Sequence, residues 1–169
     1  LAGLETNTFD TAVSFQVIEH IENDQLYVEE IHRVLKEGGN FICSTPNIKM
    51  SLTRNPWHVR EYTHQTLKNL LLKYFSSVEC LGVYGDDTVM QYFEENKKGV
   101  QKFTRFDIFN LQYKLPRKWL EVPYNIANRM NRKKLMKQDN KMVSEINLDS
   151  FHLGPATDEC FDLFYIAKK

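Results

Sequence analysis

The strongest constraint on the fold lies between residues 9 and 45, where two short apolar runs stand on either side of one amphipathic stretch. Phe9 to Phe15, FDTAVSF, has the length and the β-branched and aromatic content of a mostly buried strand, and Asn40 to Thr45, NFICST, is a second. Between them Asn23 and Asp24 can cap a helix, because their side-chain oxygens accept from N–H groups that a first turn leaves unpaired. Tyr27, Ile31, Val34 and Leu35 then fall on one helical face, and Gly38 and Gly39 are expected to stop the helix. Strand, helix and strand within about forty residues form a βαβ unit, whose right-handed crossover makes the two strands parallel. In open α/β sheets, ligands gather at the carboxyl ends of such strands.

From Pro46 to Tyr62 the chain is polar, aromatic and irregular, as loops that carry chemistry often are, and it includes NPWHVREYT. Thr63 is an N-cap candidate for a second helix, with Leu67, Leu70, Leu71, Tyr74 and Phe75 as its apolar stripe. Val78 to Tyr84 is expected to be a third strand, and Cys160 to Ala167, CFDLFYIA, a strand near the end of the chain. Asp86 to Ser150 breaks this rhythm. Phe103, Phe106, Phe109 and Tyr113 recur at helical spacing, Pro116 interrupts, and Tyr124 to Met136 resumes. The expected class is α/β, with residues 1–86 and 151–169 as the core and 87–150 as a helical insertion.

A chain of 169 residues is a one-domain length, and 42% hydrophobic residues suffice for a core, which excludes disorder. No apolar run approaches the roughly 18 residues of a membrane span, and no secretory leader is expected. Three widely spaced cysteines, Cys43, Cys80 and Cys160, suit reduced core thiols in a cytoplasmic protein better than a disulfide framework. The net charge of zero hides an asymmetry: residues 96–141 hold thirteen Lys and Arg against three Asp and Glu, leaving nine against nineteen elsewhere. Such a segment can meet an anionic ligand, a membrane face or nucleic acid, serve as a lid or dimer element, or remain a solvated basic surface.

The stretch FDTAVSFQVIEHIENDQLYVEEIHRVLKEGGNFICSTPN, Phe9 to Asn47, closely resembles the second half of class I S-adenosylmethionine-dependent methyltransferases. The resemblance rests on the FD-containing strand, the VIEH segment, the RVLK-x-GG helix end and the strand finishing in STPN. It continues through NPWHVREYT, which is similar to bacterial methyltransferases linked to glycan modification. It implies a Rossmann-like sheet of order 3-2-1-4-5-7-6, with Phe9 to Phe15 as strand 4, Asn40 to Thr45 as strand 5, Val78 to Tyr84 as strand 6 and Cys160 to Ala167 as strand 7. The family's glycine-rich cofactor turn and its ribose-binding acid have no counterpart in these residues. The chain is therefore expected to be the C-terminal half of the seven-stranded sheet, with the apolar edge of strand 4 covered by a preceding segment or by another chain, as in a homodimer.

What the resemblance implies for function is O-methylation of a small-molecule or glycan-type acceptor with S-adenosylmethionine as cofactor. It brings Ser14, Phe15 and Gln16 beside that cofactor. Glu19 and His20 follow at the strand's carboxyl end, where His20 can act as a base with the carboxylate stabilising its charged form, or where both merely cap the next helix. His58, in the later loop, completes the catalytic candidates, or joins Arg60 and Glu61 in ordering that loop. Small-RNA 2′-O-methyltransferases hold a divalent ion with a similar arrangement. Here Gln16 stands where that pattern has Glu, so a metal-assisted RNA enzyme is the alternative and no metal ligand is assigned. A non-catalytic half-fold docking on a partner chain is the remaining alternative.

Overall fold

The computed structural model describes residues 1–105, 114–138 and 140–169. In chain order the elements are β1 (Phe9–Phe15), α1 (Asp24–Val34), β2 (Leu35–Pro46), α2 (His64–Leu71), β3 (Ser77–Gly85), α3 (Asp87–Thr104), α4 (Arg117–Gln138), α5 (Asn140–Glu145), β4 (Phe151–Pro155) and β5 (Asp162–Lys168). The five strands form one sheet of order β1-β2-β5-β3-β4. β1 and β2 are parallel, as a helical crossover requires, while β5 enters between β2 and β3 and runs antiparallel to both.

Local chemistry explains most boundaries. Asn23 Oδ1 accepts the Leu26 N–H at 3.0 Å and opens α1. Thr63 and Thr66 close a reciprocal capping box at the start of α2. One face of the sheet carries the core: Phe41 and Cys43 of β2 and Leu163, Tyr165 and Ala167 of β5 alternate inward and are fully buried against Val28, Ile31, Leu67 and Leu71 of the two helices. Phe41 also stacks on Phe75, and the Tyr165 hydroxyl donates to the His64 carbonyl at 2.7 Å.

Three expectations are corrected. α1 ends at Val34, four residues before Gly38, because Leu35 is already extended and buried as the first residue of β2. The glycines serve the strand instead: Gly38 takes a φ of 76°, and a Cβ on Gly39 would stand 2.9 Å from the Lys36 carbonyl and 3.0 Å from that of Asp10. They lie where the register of β1 on β2 slips between Phe9 and Thr11. β1 is also less buried than its composition suggests. Among the described residues it has one hydrogen-bonded neighbour, in keeping with the apolar edge expected of strand 4, and Ser14 turns inward while Phe9, Val13 and Phe15 are exposed. Finally, FHLGP forms the short strand β4, where the helical insertion was expected to meet the last strand directly.

The chain divides into two compact units. Leu1–Met50, Val59–Tyr84 and Leu153–Lys169 carry the core of the sheet with α1 and α2; Ser51–His58 and Gly85–His152 carry α3, α4 and α5. Within the second unit Asp86 caps α3 by accepting the Val89 N–H, and its own N–H donates to the Ser150 carbonyl at 2.8 Å, tying the unit's two ends. Phe106, Phe109 and Tyr113 of the expected aromatic stripe lie outside the described residues. Among the described residues no helix is long and apolar enough to cross a membrane.

Candidate functional site

The carboxyl ends of β1 and β2 form a polar rim inside the first unit. β1 ends at Phe15, and Gln16 then takes a φ of 55° while its N–H still donates to the Ser44 carbonyl of β2 at 2.9 Å. A left-handed non-glycine residue costs about 1 kcal/mol, and such residues cluster where the chain must re-aim its side chains. The turn Ile18–His20 follows, with Ile18 buried as its apolar anchor.

That turn drives Glu19 into the interior, where it is 1% exposed. Its Oε2 accepts the Thr45 hydroxyl at 2.9 Å, and its main-chain carbonyl accepts the Val59 N–H at 2.7 Å. A buried carboxylate needs such donors, because each lone pair left without one costs desolvation. His20 points outward, with Nε2 3.8 Å from Glu19 Oε1, beyond hydrogen-bond length but within ion-pair reach.

A second carboxyl lies beside this one. Burial holds Asp162 above the usual carboxylate range; a hydrogen bond from Gln16 counteracts part of the shift, and the charge of Glu19 adds to it. The Gln16 amide is thus engaged with Asp162 and, at 3.5 Å, with Ser44 Oγ. Ser14 is engaged as well, since the Tyr27 hydroxyl of α1 donates to its Oγ at 2.7 Å. Phe15 is half exposed, its ring centroid 6.0 Å from that of Phe164.

The loop following β2 returns to the first unit at Val59. Arg60 Nη2 donates to the Glu22 carbonyl at 2.8 Å, and its Nη1 lies 2.5 Å from Asp24 Oδ2 as an ion pair without hydrogen-bond geometry. The Tyr62 hydroxyl donates to the same Asp24 oxygen, and burial together with that bond pushes its pKa up. Arg60 and Tyr62 therefore fasten this loop to the first turn of α1. His58 belongs to the second unit, where Asn55 Nδ2 donates to its Nε2 at 2.8 Å and its N–H donates to the Asn55 carbonyl.

Two features escaped the sequence reading. Asn47, the last residue of STPN, is fully buried, and its Nδ2 donates to the Cys160 carbonyl at 2.9 Å and the Thr157 carbonyl at 3.1 Å. It joins the rim to the segment before β5. No local signal distinguishes this Asn from an ordinary turn residue. The other feature is a cavity of about 580 Å³ bordered by Leu1, Ala2, Ile21, Leu26 and Tyr27 and by Asn23 and the Glu30–Arg33 ion pair. Leu1 and Leu26 are exposed apolar side chains that point to it only once the chain is folded.

Residues 1–43 match a family model described as a methyltransferase domain. The chain is 43% identical over 81 residues to a probable S-adenosylmethionine-dependent methyltransferase of Mycolicibacterium smegmatis, which covers 44% of this chain and 32% of the relative. A probable S-adenosylmethionine-dependent methyltransferase of Mycobacterium tuberculosis is 43% identical over 68 residues, covering 37% of this chain and 25% of the relative. The matched part thus spans about a third or less of these relatives' length. Among solved structures, a SAM-dependent methyltransferase of Thermotoga maritima superposes on 98% of this chain and 58% of its own, with a TM-score of 0.56 at 14% identity. With its parallel pair, its antiparallel strand inserted beside β2 and this matched segment, the sheet has the Rossmann-like fold of class I S-adenosylmethionine-dependent methyltransferases.

Proposed function

We propose that this chain serves an S-adenosylmethionine-dependent methyltransferase, acting in the cytoplasm on the oxygen of a small or glycan-type acceptor. The observation that carries this reading is the buried carboxylate of Glu19 beside the outward-facing His20, at the carboxyl end of the parallel pair. The likeness of residues 1–43 to methyltransferase domains supports the choice of reaction. In this proposal the core is residues 1–86 and 151–169, and residues 87–150 form a separate substrate-side or interaction element.

The residues fit the cofactor in part. Ser14 Oγ accepts from Tyr27 and the Gln16 amide bonds Asp162, which holds both side chains in place beside the cofactor while leaving the Ser14 O–H and the Gln16 amide oxygen for it. The half-exposed Phe15 ring and the cavity at Tyr27, with apolar walls and the polar groups of Asn23, Glu30 and Arg33, are suited to a flat, weakly polar group such as adenine, with Ser14 acting also through the Tyr27 ring that it orients. When bound, S-adenosylmethionine supplies a methyl group on a positively charged sulfur. His20 takes the acceptor hydroxyl's proton at Nδ1, because Nε2 faces the Glu19 carboxylate, and Glu19 stabilises the imidazolium that results. Thr45 holds Glu19 in place for that task. His58, in the loop following β2, is kept as a catalytic candidate.

Transfer of labelled methyl from S-adenosylmethionine to a panel of hydroxyl acceptors tests the reading. His20→Ala is expected to lower turnover about 100-fold while leaving cofactor affinity unchanged. Both measurements use the chain together with the preceding segment or partner chain that covers the edge of β1; there, an unchanged rate would return His20 to a capping role, and failure of the unaltered protein to methylate any acceptor would overturn the activity itself.

A further inference from the structure

Helix α4 presents an apolar stripe that its own unit does not use. Trp119, Val122, Ile126 and Met130 are 71%, 66%, 56% and 57% exposed. At 100° per residue these four positions fall within an arc of about 80° and extend about 16 Å along the axis. On the other side Leu120, Tyr124 and Ala127 are half-buried where α4 packs with α3 and α5. The exposed stripe is therefore a second apolar face, distinct from the one that holds the helix in place.

Charge identifies what this face meets. Residues 117–138 contain seven Lys and Arg against a single Glu. Lys118, Arg129 and Lys133 are exposed and fall on or beside the same arc as the stripe. An apolar band with cations along its margin matches the layered chemistry of an anionic bilayer surface, acyl chains below and phosphates at the level the long basic side chains reach. We propose that α4 lies in the plane of an anionic lipid surface, with Trp119, Val122, Ile126 and Met130 in the acyl boundary and Lys118, Arg129 and Lys133 on lipid phosphates. It lies on the membrane rather than across it, since the helix is too polar to span one.

Two other occupants match less well. Nucleic acid would use the cations and could stack a base on Trp119, but Val122, Ile126 and Met130 would be left exposed with no base stacked on them. A second copy of the chain would bury the stripe but bring two strongly cationic faces together, which repel. The proposal is independent of the methyltransferase reading, because it concerns only the faces of one helix.

Vesicle flotation of the whole chain tests it. The protein is expected to float with vesicles of phosphatidylcholine mixed with phosphatidylglycerol and to stay behind with phosphatidylcholine alone, and binding should weaken as salt rises. Val122→Ser with Ile126→Ser, both at exposed positions, should lower partitioning about tenfold or more. Arg129→Gln with Lys133→Gln should do the same and flatten the salt dependence. Val122→Trp should strengthen binding, a gain that misfolding would not produce. In a Trp57→Phe background, Trp119 emission should shift to the blue on binding the mixed vesicles. Absence of flotation at low salt would overturn the proposal, as would flotation that the serine variant leaves unchanged. So would oligonucleotide binding in place of vesicle binding, or a dimer that Ile126→Ser dissociates.

Discussion

Burial at the start of β5 holds the Asp162 carboxyl above its ordinary range, and the neighbouring Glu19 charge pushes the same way. A carboxyl whose folded pKa exceeds its unfolded one stabilises the fold most below the ordinary value, and that contribution is lost as pH rises through the raised one. Asp162→Asn keeps an oxygen to accept from Gln16 and removes the charge. Its melting temperature is expected to exceed that of the wild type at about pH 7, with the difference closing at about pH 3; a variant less stable at neutral pH would show that Asp162 makes a needed ionic contact. Single residues differ in how legible they were. Cys43 and Cys160 were readable as core thiols from their apolar runs, and burial does push the Cys43 thiol up to about 12. Glu19 was readable as a candidate in VIEH, but its burial was not, because the hydroxyl that satisfies it comes from Thr45, 26 residues away.

Elements were legible where their signals are local. The caps at Asn23 and Thr63 and the stripe through Leu67, Leu70 and Leu71 lie within a few residues of what they organise, and α1 and α2 start where those signals say. The end of α1 depends instead on Leu35 entering the sheet beside Phe9, which no helical stop signal encodes. β4 carries only five residues and no clear alternation, so composition places residues 151–155 in the core without marking them as a strand. How closely β3 packs is likewise tertiary. A Cβ on Gly82 would lie 2.5 Å from Cys160 Cβ and 2.7 Å from its Sγ, and Cys160 is fully buried with its thiol donating to the Thr157 carbonyl. With no room for either side chain to move, Gly82→Ala is expected to cost about 1–3 kcal/mol, read as a lower denaturant midpoint with the m-value unchanged. A midpoint equal to wild type would mean that the strand shifts at no cost.

At the scale of the whole molecule, Lys169 gathers segments from far along the chain. Its Nζ donates to the His32 and Leu35 carbonyls at the end of α1 and to Asn7 Oδ1, at 2.9, 2.8 and 2.8 Å, and its side chain is 7% exposed. An ammonium at a helix carboxyl end also opposes the negative end of the helix dipole. Lys169→Met leaves the partly buried His32 and Leu35 carbonyls without this donor and is expected to lower stability by about 1–2 kcal/mol in denaturant unfolding. Lys169→Arg should recover little of it, because a planar guanidinium cannot reproduce three bonds diverging from one nitrogen. Full recovery by Arg would reduce the site to simple charge pairing. What the sequence by itself determined was the parallel β1-α1-β2 unit, the caps of both core helices, the methyltransferase likeness and the cationic character of residues 96–141. Those properties follow from repeats and pairings within a few residues. The tertiary structure alone decided that Glu19 is buried, that Asn47 bridges to Cys160 across 113 residues, and that α4 shows a second apolar face. Burial depends on which distant segments a residue meets, and a linear pattern does not specify that meeting.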